Sequence, residues 1–216
     1  RNSVAYPGAN VKLAFTHAGL SVGEDGGSHQ SLEDVALMRE LPGMTVFSPC
    51  DASETYKAVK AAIDIQGPVY IRLTRPGTDD VTDEATPFVP GKAVVLREGT
   101  DAAIFATGLM VTRALKAAEL LSAEGISAAV VNFHTIKPLD EECVLSYNSK
   151  VRAIVTAEDH FVTGGLGSAV AEVIAGKPGA GFARVGVEDR FGQSGSPAKL
   201  YEEYGLTAEN IAAKVK

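Results

Sequence analysis

Short apolar, β-branched runs alternate with helical patterns from one end of this chain to the other, and that alternation limits the fold more than any other feature. Strand, crossover helix, strand, repeated, is the signature of a mostly parallel sheet with helices on both faces. "VKLAFTH" (11–17), "MTVFSP" (44–49) and "PVYIRLT" (68–74) read as the strands of a first α/β unit. A helix is expected to start near Ser31, with Asp34 three residues on as a capping-box-like pair, and to turn Leu32, Val35 and Ala36 to the sheet. A second helix, "DASETYKAVKAAID", has Asp51 as its N-cap and Glu54 at its third position.

The period then breaks. Residues 76–92, rich in Pro, Gly and acids, carry no repeat of either kind and read as a linker. Beyond it a second series begins with the strand "DAAIFAT" (101–107) and a helix over 110–124, where Ala114, Leu115, Ala118 and Leu121 recur at helical spacing. Strands over 126–133, 151–158 and 182–189 follow. Helices are expected over 140–147, from "TGGLG" (163–167) to about Ala175, and twice at the C-terminus, the last capped by Thr207. The fold class is therefore α/β: two consecutive three-layer domains with mostly parallel sheets, over 1–75 and 93–216.

A net charge of −7, with Lys and Arg never gathered into a stripe, argues against a nucleic-acid surface. The two cysteines, Cys50 and Cys143, have no paired spacing and read as buried small hydrophobes. No apolar run nears the roughly 18 residues that span a bilayer, so no membrane contact and a cytoplasmic location are expected. The chain opens at Arg1 without Met, in the polar piece "RNSVAYPGAN", and is read as a fragment lacking an upstream part.

In open α/β sheets ligands bind beyond the carboxyl ends of the strands. His17 and Arg75 end two strands of the first unit, and the loop "THAGLSVGEDGGSHQ" (16–30) adds Glu24, Asp25 and His29. A guanidinium, a carboxylate and imidazoles suit a phosphorylated, hydroxyl-rich substrate. From composition alone a solvated turn stands beside that reading. His134, His160 and "TGGLG" also follow strands, and packing or turn roles account for them.

The stretch "FTHAGLSVGEDGGSHQSLEDVALMRELPGMTVFSPCDASE" (15–54) resembles the pyrimidine-binding domain of transketolase, in which a Thr-His pair ends a strand and a "GEDG-x-x-HQ" loop follows. "YIRLTRPG" (70–77) resembles that family's strand ending in a substrate-phosphate arginine. "VTAEDHFVTGGLGSAVAEVIA" (155–175) and "VEDRFGQSGSPAKLYEEYGLT" (187–207) resemble its C-terminal domain. The resemblance implies a transferase of the pentose phosphate pathway that uses thiamine diphosphate and Mg²⁺ to move a two-carbon ketol unit from a ketose phosphate to an aldose phosphate. Carried over by position, His29 is the catalytic proton-transfer residue, Asp25 accepts the hydroxyl next to the substrate carbonyl, and His17 and Arg75 hold the phosphate.

The family's glutamate and aromatic residues for the cofactor ring, and its "GDG" and asparagine motif for Mg²⁺, fall outside the matched stretches. No cofactor-binding or metal-binding residue is therefore assigned to this chain. The wording "THAGL" and "GGSHQ" is closer to transketolases split into two polypeptides. That implies an N-terminal partner subunit carrying the diphosphate-binding domain and the metal ligands, in a dimer of heterodimers. Deoxyxylulose-phosphate synthase and 2-oxo acid dehydrogenase β subunits share the domain plan, and a non-catalytic partner-binding fragment is the alternative of another class.

Overall fold

A computed structural model describes residues 1–216. In the first unit β1 (Lys12–Phe15), β3 (Val69–Arg72) and β2 (Thr45–Phe47) lie side by side and parallel. Helices α1 (Asp34–Arg39) and α2 (Ala52–Asp64) cover opposite faces. Successive strand residues point to opposite faces, so Val46 and Tyr70 pack with Val35 of α1, while Phe47, Val69 and Ile71 pack with Ala58 and Ala62 of α2. Asp51 caps α2 as expected, accepting the Glu54 N–H at 2.8 Å.

The second unit is a five-stranded sheet in the order β4 (Val94–Arg97), β6 (Ala128–Asn132), β5 (Ala102–Ala106), β8 (Ala153–Phe161), β9 (Gly181–Val187). Its period-2 pattern builds two cores. Ile104, Val130 and Val155 face Ala114, Ala118 and Leu121 of α3 (Met110–Ala123) and Ile211 of α7 (Ala208–Val215). Phe105, Val131 and Ile154 face Val144 of α4 (Glu141–Lys150) and Leu166 and Val170 of α5 (Leu166–Ile174). The short α6 (Pro197–Glu203) adds Leu200 and Tyr201 to the larger core, and Thr207 caps α7 through the Asn210 N–H at 3.2 Å. No helix is long and apolar enough to cross a membrane.

Three features depart from the sequence reading. Helix α1 starts at Asp34 rather than near Ser31, and its N-cap residue Glu33 makes no side-chain capping bond. The cause is tertiary: Ser31 bridges to Ala18, its carbonyl accepts the Gly19 N–H at 2.8 Å, and the Asp34 carboxylate is taken by Arg72 and Tyr70. Leu32 joins the core of the second unit instead of the first sheet. Two further strands, β4 and β7 (Thr135–Lys137), pair antiparallel at sheet edges, β4 just after the irregular 76–92 segment and β7 just before Pro138. Although β7 follows β6 in sequence, it pairs with β2 and completes the first sheet, so the two units interlock through one strand.

Candidate active site

The glycine-rich loop leaves β1 at Thr16 and crosses the carboxyl ends of β1 and β3. His17 takes a left-handed φ of 67°, an uncommon conformation for a residue with a side chain, and this turns the chain out of the strand. The turn is held because Ala18 N–H reaches back to Leu73 O at 3.1 Å. A 3-10 segment, Leu20–Asp25, follows and is kinked at Gly23, where φ is 78°.

The kink delivers Asp25 to Arg75. Arg75 Nη1 donates to Asp25 Oδ2 at 3.2 Å and to Val22 O at 2.7 Å, and both side chains of the ion pair are 44% exposed. His17 and His29 stay exposed, each hydrogen-bonded through Nδ1 to a neighbouring hydroxyl, Thr16 at 2.8 Å and Ser28 at 3.0 Å. Of the four residues given roles by the resemblance, the structure thus joins Asp25 to Arg75 directly and leaves both imidazoles exposed to solvent. Glu24 is also exposed.

Beside them lies an open groove of about 280 Å³, bordered by Thr16, Cys50, Asp51, Thr55, Thr74 and Gly77. Its lining residues Cys50 and Asp51 are buried and lead to two further buried polar residues, Glu54 and Asn132. Glu54 accepts the Cys50 N–H at 2.7 Å and Asn132 Nδ2 at 2.8 Å. Burial, and then Glu54, push the Cys50 thiol far above its ordinary value, so it stays protonated and is no nucleophile. Cys143 is half-buried, its thiol pushed by burial up to about 12. His134 is buried and stacked on Phe88 at 4.0 Å, and His160 is buried with Nδ1 2.7 Å from Phe161 O. No group of three or more His, Cys, Asp or Glu is arranged to hold a metal ion.

Sequence reasoning missed the layer beneath the loop. Arg72, buried in β3, forks onto Asp34 and sends Nη2 to Asp159 O at 2.8 Å. Burial works against the charge on Asp34, but Arg72 and the Tyr70 hydroxyl outweigh it and hold the carboxyl below the ordinary range. Asp159, at the end of β8, is also buried. Burial raises its carboxyl, against the pull of Arg72, the Leu20 N–H and the Tyr201 hydroxyl. One signal was available: an arginine inside the apolar run "VYIRL" requires an internal partner.

The pyrimidine binding domain of transketolase matches residues 1–79, and the transketolase C-terminal domain matches residues 91–211. The chain is 48% identical over 209 residues to a 6-deoxy-6-sulfo-D-fructose transketolase subunit of Clostridium sp. (strain MSTE9), covering 97% of this chain and 65% of that protein. It is 45% identical to a transketolase C-terminal section of Methanocaldococcus jannaschii, covering all of this chain and 68% of that one. A solved split-gene transketolase, described as an inactive β4 tetramer, superposes with a TM-score of 0.93 at 50% identity, over 100% of this chain and 69% of the other. The chain thus spans about two thirds of the length of these relatives. A 1-deoxy-D-xylulose-5-phosphate synthase of Pelotomaculum thermopropionicum is more distant, at 39% identity. With both domains matched in order, and with the loop, crevice and sheets described above, the chain belongs to the transketolase family as its pyrimidine-binding and C-terminal portion.

Proposed function

We propose that this chain is the C-terminal part of a thiamine diphosphate-dependent transketolase and works with a partner chain that carries the diphosphate-binding domain. The observation that carries the reading is the meeting of Asp25 with Arg75 at the strand ends, flanked by the exposed His17 and His29. Arg75 offers a fork for a phosphate or another oxyanion, with His17 beside β1 as a second contact. Asp25 accepts a substrate hydroxyl, and His29 moves protons at the reacting oxygens. These side chains fit the substrate end of such a site, not the diphosphate–metal end, since no carboxylate or imidazole cluster here suits Mg²⁺. Thiamine diphosphate, when bound between the chains, supplies the carbanion chemistry that carries the two-carbon unit. Chemistry of that kind needs water excluded, and both imidazoles are open to solvent in the single chain, so cover must come from the partner.

In the free chain Asp25 occupies Arg75, so an incoming oxyanion displaces the carboxylate and leaves it available to a hydroxyl. The sulfo-sugar relative makes a sulfonate a second candidate for that oxyanion. The test is donor choice: the assembled complex is offered xylulose 5-phosphate, 6-deoxy-6-sulfofructose or pyruvate, each with an aldose phosphate acceptor. Turnover of a ketose donor with release of a shortened aldehyde supports the reading. Turnover of pyruvate with loss of carbon dioxide contradicts it and favours the synthase.

A further inference from the structure

The loop that carries Asp25 and His29 is held from within by a few turn bonds, Gly26 N–H to Gly23 O at 3.1 Å and His29 N–H to Gly26 O at 2.9 Å among them. It contains glycines at 19, 23, 26 and 27, and its single 3-10 segment is broken in the middle. Beyond these turn bonds and the Arg75 bonds to Val22 O and Asp25, the second unit provides contacts at three places. At its start, Leu20 N–H donates to Asp159 Oδ1 at 3.0 Å, and Asp159 Oδ2 accepts the Tyr201 hydroxyl at 2.9 Å. Gly19 lies so close to this carboxylate that a Cβ there would sit 2.1 Å from Oδ2.

At its end, next to His29, the buried Gln30 Nε2 donates to Gly23 O at 3.1 Å and to Gln193 O at 3.0 Å. One amide thus ties the loop to itself and to the segment ahead of α6. In the middle, Ser194 Oγ donates to Glu24 O, beside Asp25, and Gly27 lies against the backbone of Gly192.

We propose that the C-terminal unit is the positioning element of the site: Asp159 through Leu20, and the 192–194 segment through Gln30 and Glu24, fix where Asp25 and His29 stand. This rests on the roles proposed above for those two residues. None of Asp159, Gly192, Gln193 and Ser194 lines the groove beside the site, so they are positioning residues. Groups held on loops need such a supporting shell, because a displacement of about 1 Å at a reacting centre costs up to about 10²-fold in rate.

Gly192→Ala is the wedge. Its φ is not left-handed, and the new methyl would lie 1.8 Å from Gln30 Oε1, so the Gln30 amide must shift and give up its bonds to Gly23 O and Gln193 O. Ser194→Ala removes one loop bond and is the milder variant, read in place of the wedge if that complex fails to fold. Arg39→Ala is the control: it loosens a different contact between the units, where Arg39 bonds Gly164 O and Glu172.

Two readouts are taken on the complete complex with its N-terminal partner. The first is the ratio of kcat/KM for a hydroxylated over a non-hydroxylated aldehyde acceptor, which is independent of how much protein is folded. The second is amide hydrogen exchange over residues 19–30, which needs no activity. Gly192→Ala is expected to lower the ratio at least fivefold and speed exchange at least tenfold, Ser194→Ala to move both at least twofold, and Arg39→Ala neither. Either readout staying at its wild-type value in the variant read overturns the proposal. A wild-type complex that transfers nothing sinks the functional reading instead, and exchange alone then decides whether the C-terminal unit holds the loop.

Discussion

Arg72 and Asp34 hold each other in a two-pronged pair at the end of β3, with Nε 2.8 Å from Oδ2 and Nη2 3.1 Å from Oδ1. The same Nη2 donates to Asp159 O at 2.8 Å, so one buried guanidinium joins the first unit to the second beneath the loop. Removing the cation leaves a carboxylate buried without its partner, which costs about 3–5 kcal/mol. Arg72→Met should lower the urea midpoint accordingly, and Arg72→Lys, which keeps charge but loses the fork, should fall between. A Met variant within about 1 kcal/mol of wild type would contradict this account of the interface.

Asp51 does more than cap a helix. Oδ1 accepts the Glu54 N–H and the Thr82 hydroxyl, and Oδ2 accepts the Val81 and Thr82 N–H groups at 2.9 and 2.6 Å. It therefore straps the irregular 76–93 segment across the groove. Asp51→Ala should cost about 2 kcal/mol or more, beyond the roughly 1 kcal/mol of an ordinary cap. Proteolysis near residues 81–82 should increase with it. An unchanged cleavage pattern would mean that the segment is held elsewhere.

His134 makes stability depend on pH. Burial holds its imidazole down to about 4, from an ordinary value of 6.5, so the folded state keeps the neutral ring. Below pH 6.5 the unfolded chain takes up a proton that the folded one refuses. This contribution is therefore complete above pH 6.5 and is lost as pH falls toward 4, about 3 kcal/mol in all. His134→Asn should remove that part of the slope in a pH series of unfolding free energies. Identical slopes for variant and wild type would show that the ring is protonated in the fold.

The proposed roles of Arg75 and His29 separate in kinetics. Arg75→Ala should raise KM for phosphorylated sugars about 10- to 100-fold, the size of a charge-assisted hydrogen bond worth roughly 1.5–3 kcal/mol. His29→Ala should leave KM near wild type and lower kcat by about 10²-fold or more, as expected for a lost proton-transfer group. If Arg75→Ala lowers kcat alone, or His29→Ala raises KM alone, the two residues have been given each other's work.

Much of this was legible in the sequence because the signals were local. The β5 run "AAIFA", the recurrence of Ala114, Ala118 and Leu121, and the caps Asp51 and Thr207 each depend on neighbours within a few residues. Two edge strands escaped: β4 follows directly on the irregular 76–92 segment and β7 runs into Pro138, and β7 also changes sheets, which no local pattern reveals. The start of α1 was misread because Ser31 and Asp34 form a good local capping pair, and Arg72, far along the chain, claims both. The places of His17 and Arg75 just beyond β1 and β3 followed from the local strand pattern. Asp159, separated from Leu20 by 139 positions, could not be placed that way.

The central claim is tested most directly by reconstitution. The chain is titrated into the proposed partner chain carrying the diphosphate-binding domain, with thiamine diphosphate and Mg²⁺, and ketol transfer from xylulose 5-phosphate or 6-deoxy-6-sulfofructose to an aldose phosphate is followed. The account predicts transfer that neither chain gives alone and that saturates at equal amounts of the two. An assembled complex that transfers no two-carbon unit from either donor would contradict it.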